Sequence, residues 1–284
     1  MQKPVGLFDS GIGGLTVLKE ILAELPEEGF VYFGDTARVP YGTKSKETIT
    51  RFSIENTQFL QTLDVKLIVV ACHTASSLAL KELHERFSLP LIGVIDPAAK
   101  KAAELTRNGR IGVIGTKATI QSGAFEASLK SLEPRLKVYS TACPLFVPLV
   151  EEGWMEGEVV QKTASTYLDS LKSFGIDTLI LGCTHYPMLA QTISSVLGEE
   201  VQLVNPARET AIEARELIRR LGLGVGGGQK SPDTRFYVSD EPEHFRQMGE
   251  RFLGRSLGSV VKVSVESSIG TGSAEPFKRS RIHG

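Results

Sequence analysis

Two stretches of this chain read as copies of one another, and each carries a cysteine: Leu67-Ile68-Val69-Val70-Ala71-Cys72-His73-Thr74 and Leu179-Ile180-Leu181-Gly182-Cys183-Thr184-His185. In both, an unbroken apolar run gives way to a small residue, then the cysteine, then polar residues. Strands buried on both faces of a parallel sheet carry such continuous runs, and in open α/β sheets chemistry gathers just beyond the strands' carboxyl ends. The pattern therefore sets two thiols at two active sheet edges, one in each half of the chain.

The duplication extends beyond the cysteines. Val5-Gly6-Leu7-Phe8-Asp9-Ser10-Gly11 is answered by Ile111-Gly112-Val113-Ile114-Gly115-Thr116-Lys117, and Gly93-Val94-Ile95-Asp96-Pro97 by Leu203-Val204-Asn205-Pro206. Asp9 precedes Cys72 by 63 positions and Gly115 precedes Cys183 by 68, a near match that chance apolar runs rarely give. Between the strand-like runs lie stripes at helical spacing, Leu15-Leu18-Leu22-Leu25 with Val17 and Ile21, and Ile49-Phe52-Phe59-Leu60-Leu63. Such stripes are core rather than cofactor contacts. Alternating strands and helices imply parallel sheets covered on both faces. The expected fold is α/β: two pseudo-symmetric lobes, each a mostly parallel sheet flanked by helices, with the active site in the cleft between them. The first lobe takes residues 1–96 and 206–284, the second 97–205. After a helical stretch from Glu209 to Leu221 and a flexible Gly222–Gly228 segment, strand-like Arg235–Ser239 and Val260–Val263 return to complete the first lobe. The basic residues 278–284 read as a disordered end.

Composition narrows the partners. A net charge of −1 over 284 residues argues against nucleic acid, whose phosphates demand a positive surface excess. No signal peptide precedes the first strand, and no apolar stretch approaches the roughly 20 residues that span a membrane. Three cysteines are too few and too uneven for a secreted disulfide framework. A reduced, cytoplasmic protein without membrane partners is expected.

Two equivalent thiols facing one carbon from opposite sides can take a proton from one face and return one to the other, the chemistry that racemisation requires. A thiolate serves as base when a helix N-terminus or positive neighbours stabilise it. Polar residues that could open a helix follow Cys72 and Cys183, and each has a histidine within two positions. Cys143, followed by Pro144 and apolar residues, reads instead as a small buried hydrophobe. Zinc is disfavoured, because adjacent Cys-His on an extended segment is poor bite geometry. The loop Asp9-Ser10-Gly11-Ile12-Gly13-Gly14 lacks the third glycine of a dinucleotide fingerprint, Thr16 standing there. Its backbone amides suit a carboxylate, and Asp9 suits an ammonium group or a base in need of support, if it is not simply a cap or ion-pair partner. Thr116 and Thr119 would donate hydroxyls or cap a helix. A two-lobe binding protein that holds an amino acid without turning it over is a rival reading, but it has no use for paired thiols.

Taken together, Asp9-Ser10-Gly11-x-Gly13-Gly14, Gly34-Asp35, Pro40-Tyr41-Gly42, Ala71-Cys72-x-Thr74-Ala75, Gly115-Thr116-x-x-Thr119, Pro148-Leu149-Val150-Glu151 and Gly182-Cys183-Thr184-His185-Tyr186-Pro187 resemble glutamate racemase, in order from about Val5 to Pro206. The resemblance implies interconversion of L- and D-glutamate without cofactor or metal, supplying D-glutamate for peptidoglycan and hence cell shape. It implies Cys72 and Cys183 as the two bases, Cys183 acting on L-glutamate and Cys72 on D-glutamate. Asp9 and His185 would assist them, with Asp35 and Glu151 in support. Ser10, Tyr41, Gly42, His73, Thr74, Thr116, Thr119 and Thr184 would line the substrate site with Asp9 and His185. The alternatives within the superfamily are an aspartate racemase and an inactive or weakly active descendant with another role; a homodimer stays open. One position departs from the family pattern: His73 stands where asparagine is usual. With an ordinary pKa near 6.5 it would gain charge within the working range, favouring the Cys72 thiolate while weakening it as a base.

Overall fold

In the computed structural model of the chain, residues 3–224 and 233–265 are described; Gly226, Gly227 and Gly228 and the basic residues 278–284 lie outside them. Among the described residues ten strands form two sheets: β1 (Val5–Asp9), β2 (Phe30–Gly34), β3 (Leu67–Val70), β4 (Leu91–Gly93), β5 (Arg110–Gly115), β6 (Lys137–Ala142), β7 (Thr178–Gly182), β8 (Gln202–Val204), β9 (Thr234–Val238) and β10 (Val260–Lys262). The first sheet has the order β10-β9-β2-β1-β3-β4 and the second β6-β5-β7-β8. Every pairing is parallel. Four successive strands of the first sheet, β2-β1-β3-β4, ending at its β4 edge, repeat the order of the whole second sheet, so the duplication read from the sequence is a duplication of topology. The tail strands extend the first sheet beyond β2. They do not begin a third layer.

Eleven α-helices among the described residues cover the sheets: α1 (Leu15–Glu24), α2 (Lys46–Thr62), α3 (His73–Arg86), α4 (Ile95–Leu105), α5 (Lys117–Gln121), α6 (Ala124–Leu132), α7 (Phe146–Glu151), α8 (Glu158–Ser173), α9 (Ala190–Leu197), α10 (Pro206–Arg220) and α11 (Pro242–Leu253). The central strands β1, β2, β3 and β7 are buried along their whole length, as helices on both faces require. One apolar core runs from β1 and β3 through α1, α4 and α10 into β5 and β7, and a second covers the other face of the first sheet under α2 and α3. α10 packs on α1, α4, β4 and β7, so it touches both sheets. No described helix is long and apolar enough to cross a membrane.

Two of the matched proline sites differ in use. Asp96-Pro97 lies inside the first turn of α4; β4 ends earlier, at Gly93. Asn205 is instead an N-cap: its Oδ1 accepts the Ala207 amide at 3.1 Å, and Pro206 takes the first helical position, where a missing N–H costs nothing. That cap is why α10 begins three residues before the helical stripe read from sequence. Asn205→Ala removes the side-chain acceptor from a helix that joins the two cores, and should lower unfolding free energy by about 1 kcal/mol. Urea denaturation with an unchanged slope checks it.

Candidate active site

Parallel strands deliver all of the chemistry to one side. β1 ends in Asp9, and Phe8 is in register with Val70, so Ala71-Cys72 emerges beside Asp9. In the second sheet Gly115 is in register with Gly182, so Thr116 and Cys183 emerge side by side. The two edges meet. Thr16 Oγ1 lies 2.9 Å from the Thr184 carbonyl, and a Cβ on Gly13 would stand 2.2 Å from Thr184 Oγ1 and 2.5 Å from His185 Cε1. A Cβ on Gly42 would likewise stand 2.8 Å from Thr116 Cβ. Both glycines are therefore needed for close approach, not for backbone freedom.

At the Cys183 half, His185 Nδ1 is 3.9 Å from the Cys183 sulfur and 3.4 Å from Thr184 Oγ1, and Nε2 is 3.0 Å from Glu151 Oε1. Burial disfavours charge on this ring. The hydrogen bonds and charges of Cys183 and Glu151 outweigh it and hold His185 up to about 10. The raised value favours the charged ring, which can donate one N–H towards sulfur and the other to carboxylate.

The Cys72 half is built differently. Cys72 occupies the N-cap position of α3 without closing a cap hydrogen bond. Burial and the nearby Asp9 charge push its thiol up to about 12, opposed by the Ala75 amide and the Ser10 hydroxyl. Ionisation of Cys183 also raises it, so the two sulfurs feel one another. Asp9 is buried; its Oδ2 accepts the Gly11 amide at 3.0 Å, while its Oδ1 has no partner. Burial raises its carboxyl, against the Gly11 amide and the His185 charge. The expected helix opening after each cysteine holds only here, since Cys183 leads into a short 3₁₀ turn at Tyr186–Leu189.

His73 is not the titrating neighbour expected from sequence. It opens α3 only 3% exposed, and neither ring nitrogen has a partner. The ring lies against Phe125, centroids 6.2 Å apart. Desolvation lowers its pKa to about 3, so it stays neutral throughout the working range and lends Cys72 no positive charge.

The threonines gather between the lobes. Thr74 Oγ1 is 3.0 Å from Thr116 Oγ1 and 3.4 Å from Thr119 Oγ1, and Thr116 donates to Thr119 at 3.0 Å. Thr116 also caps α5 by accepting the Thr119 amide at 3.2 Å, so the capping role and membership of the cluster coexist. Tyr41 is buried, but its hydroxyl is committed to Asp35 and Asn56. Asp35 accepts from Arg38, Tyr41 and Ser239; Arg38 continues to Glu55 and Asn56. This buried network backs the Tyr41–Gly42 turn and touches neither cysteine. Sequence reasoning missed Arg38, Glu55, Asn56 and Ser239. The one local signal was opposite charge three residues apart at Asp35 and Arg38. Cys143 is buried in the apolar core, its thiol donating to the Thr141 carbonyl at 3.8 Å. Among the described residues no group of three His, Cys, Asp or Glu side chains is placed to hold a metal ion.

Comparison with known proteins places this arrangement. Residues 11–214 match the sequence signature described as Asp/Glu/Hydantoin racemase. The chain belongs to that family. A glutamate racemase of Geobacter metallireducens is 53% identical over 265 residues, covering 93% of this chain and 98% of the relative. Among solved structures, a glutamate racemase isoform from Bacillus anthracis superposes with a TM-score of 0.89 at 42% identity, covering 92% of this chain and 97% of that one. The Francisella tularensis glutamate racemase, a complex with D-glutamate, gives 0.88 at 39% identity, covering 94% and 99%. The α/β architecture of two helix-flanked parallel sheets is the one these racemases share.

The burial of His73 has a measurable consequence for a racemase with this residue. Its folded pKa lies below its ordinary 6.5, so between pH 6.5 and about 3 the unfolded chain binds a proton that the folded chain refuses. The contribution is present above the unfolded value and lost as pH falls through the folded one, at about 1.4 kcal/mol per pH unit. His73→Asn should therefore move the acid-unfolding midpoint to lower pH, as followed by far-ultraviolet circular dichroism. An unmoved midpoint would mean that the ring is solvated.

Proposed function

We propose that the chain interconverts L- and D-glutamate with Cys72 and Cys183 as the two bases, without a cofactor, in the cleft between two lobes bounded as the sequence reading divides them. The observation that supports this most directly is the pair of buried thiols, each delivered by a parallel strand of a different sheet. They lie near enough for charge on Cys183 to raise Cys72, with Asp9 Oδ1 left unpartnered beside them. A buried carboxylate oxygen without a donor is costly, and a substrate ammonium group would satisfy it. Glutamate itself is suggested by the relatives, which are glutamate racemases.

On this reading L-glutamate binds with its ammonium at Asp9 and a carboxylate against the Thr74-Thr116-Thr119 hydroxyls and the first amides of α3. Following the resemblance, the Cys183 thiolate, stabilised by the His185 imidazolium, takes the α-proton. The electron pair left on the α-carbon is shared with the adjoining carboxylate, held by hydroxyl and amide donors in a site closed to water. The Cys72 thiol then delivers its proton to the opposite face, giving D-glutamate, a Cys183 thiol and a Cys72 thiolate. The reverse reaction starts from that state. Cys72, raised well above neutrality, suits the donor role, and His185 suits that of holding negative charge at Cys183. In the cell the product would be D-glutamate made in the cytoplasm for peptidoglycan.

Each glutamate enantiomer, incubated in heavy water and followed by circular dichroism and α-proton NMR, tests the reading, with aspartate run in parallel. Cys72→Ala and Cys183→Ala should each lower racemisation by roughly 10³-fold or more, the scale of a lost proton-transfer group; wild-type turnover by Cys72→Ala would overturn the two-base scheme. A preference for aspartate would keep the mechanism and change the substrate. The absence of a cofactor makes a separate claim: exhaustive dialysis against a chelator should leave activity intact. Loss of activity restored by zinc would contradict it.

A further inference from the structure

The cysteine loops and glycine turns carry sequence motifs; the C-terminal helix α11 carries none, yet it reaches the Cys183 half of the site twice. The Phe252 ring stands edge-to-face with His185, centroids 5.4 Å apart and planes at 82°, and it is only 3% exposed. One residue earlier, Arg251 donates from Nη2 to the Glu151 carbonyl at 3.3 Å. Gly153 leaves space for that guanidinium, because a Cβ there would stand 2.7 Å from Nη1. Both members of the His185–Glu151 hydrogen bond are thereby touched from a helix that packs on α1, β9 and β10 of the other sheet.

We infer that α11 is a positioning element of the active site, with Phe252 fixing the His185 ring and Arg251 fixing the end of α7 that carries Glu151. Neither residue reaches the reacting atoms. The argument rests on the proposed two-base reading and on the ring's surroundings. His185 has Gly13 against Cε1 and Nδ1, Phe252 against its ring, and both nitrogens engaged. A turn of the ring would break the contacts to Cys183 and Glu151 together. The charged and titratable groups facing it are Cys183 on its own loop, Glu151 from α7 and Asp9 from β1; Arg251 acts on it only through the Glu151 backbone. Phe252 keeps water from these interactions, and water would weaken them.

Phe252→Leu keeps apolar volume but removes the flat ring. Looser, wetter contacts to Cys183 and Glu151 should let His185 lose its proton at lower pH, so the alkaline limb of the kcat/KM profile for glutamate should move down by about one pH unit. Because the enantiomers have equal free energy, kcat/KM must fall equally in both directions, approaching tenfold at pH values above the wild-type alkaline limb. The asymmetry appears in the isotope effect instead. With α-deuterated glutamate it should rise from the L side, where Cys183 abstracts, and fall from the D side. Phe252→Tyr should restore the wild-type values. Arg251→Met, on an exposed side chain, should displace the alkaline limb in the same direction by less, and it decides the matter if Phe252→Leu does not fold. Alkaline limbs that stay in place, or isotope effects that change alike from both sides, would reduce α11 to a packing element and overturn the inference. A wild-type protein that does not racemise glutamate would instead overturn the reading beneath it.

Discussion

A positive charge on a ring as buried as His185 persists only if negative partners hold it from more than one side, and the site is arranged around that requirement. Desolvation alone drives a buried imidazole towards neutrality, as His73 shows: same residue type, comparable burial, no hydrogen bond at either ring nitrogen, and a pKa pushed down to about 3. His185 differs by having Cys183 at one nitrogen and Glu151 at the other. The contrast isolates the cause. Burial is common to both rings, so the partners set the charge.

Keeping those partners in place explains features remote from the cysteines. Gly13 must lack a side chain because Thr184 and His185 occupy that space. The Thr16 hydroxyl sits 2.9 Å from both the Gly13 and Thr184 carbonyls, so one side chain of the first sheet's helix α1 joins its own loop to the Cys183 loop of the second. On the other flank, the Asp35–Arg38–Glu55–Asn56 network anchors the turn that brings Gly42 against Thr116. Buried charges of this kind carry a desolvation cost that their hydrogen bonds must offset. Their position behind a turn with almost no clearance ties that cost to placement of the turn.

The sequence made the strand ends legible because a doubly covered parallel sheet writes a continuous apolar run, and Cys72, Cys183, Asp9 and Thr116 each follow one. It pointed to Thr116 and Thr119 as strand-end hydroxyls, and to Thr74 and Thr184 through family motifs; nothing in the local pattern separates a cap from a ligand, and Thr116 is a cap. The state of His73 was beyond reach, since charge depends on desolvation and on partners that only the packing reveals. Arg38 and Phe252 were missed for a related reason. An arginine beside an aspartate looks like a surface pair, and a phenylalanine on an amphipathic helix looks like core, until their neighbours are known.

Duplication supplies matched positions but not matched environments, and on the two-base reading that mismatch has a use. At any instant a racemase needs one base and one acid on opposite faces of the carbon. If both thiols had identical surroundings, the free enzyme would divide itself among four protonation states, of which only the two that pair a thiol with a thiolate are productive. Here burial and Asp9 favour a thiol at Cys72, while at the other half His185 lies 3.9 Å from the Cys183 sulfur and 3.0 Å from Glu151. On that reading the two surroundings bias the free enzyme towards one proton arrangement. Since the overall equilibrium between enantiomers is fixed by symmetry, the bias cannot favour one product. It can only decide which proton arrangement the free enzyme must restore before it turns over the other enantiomer.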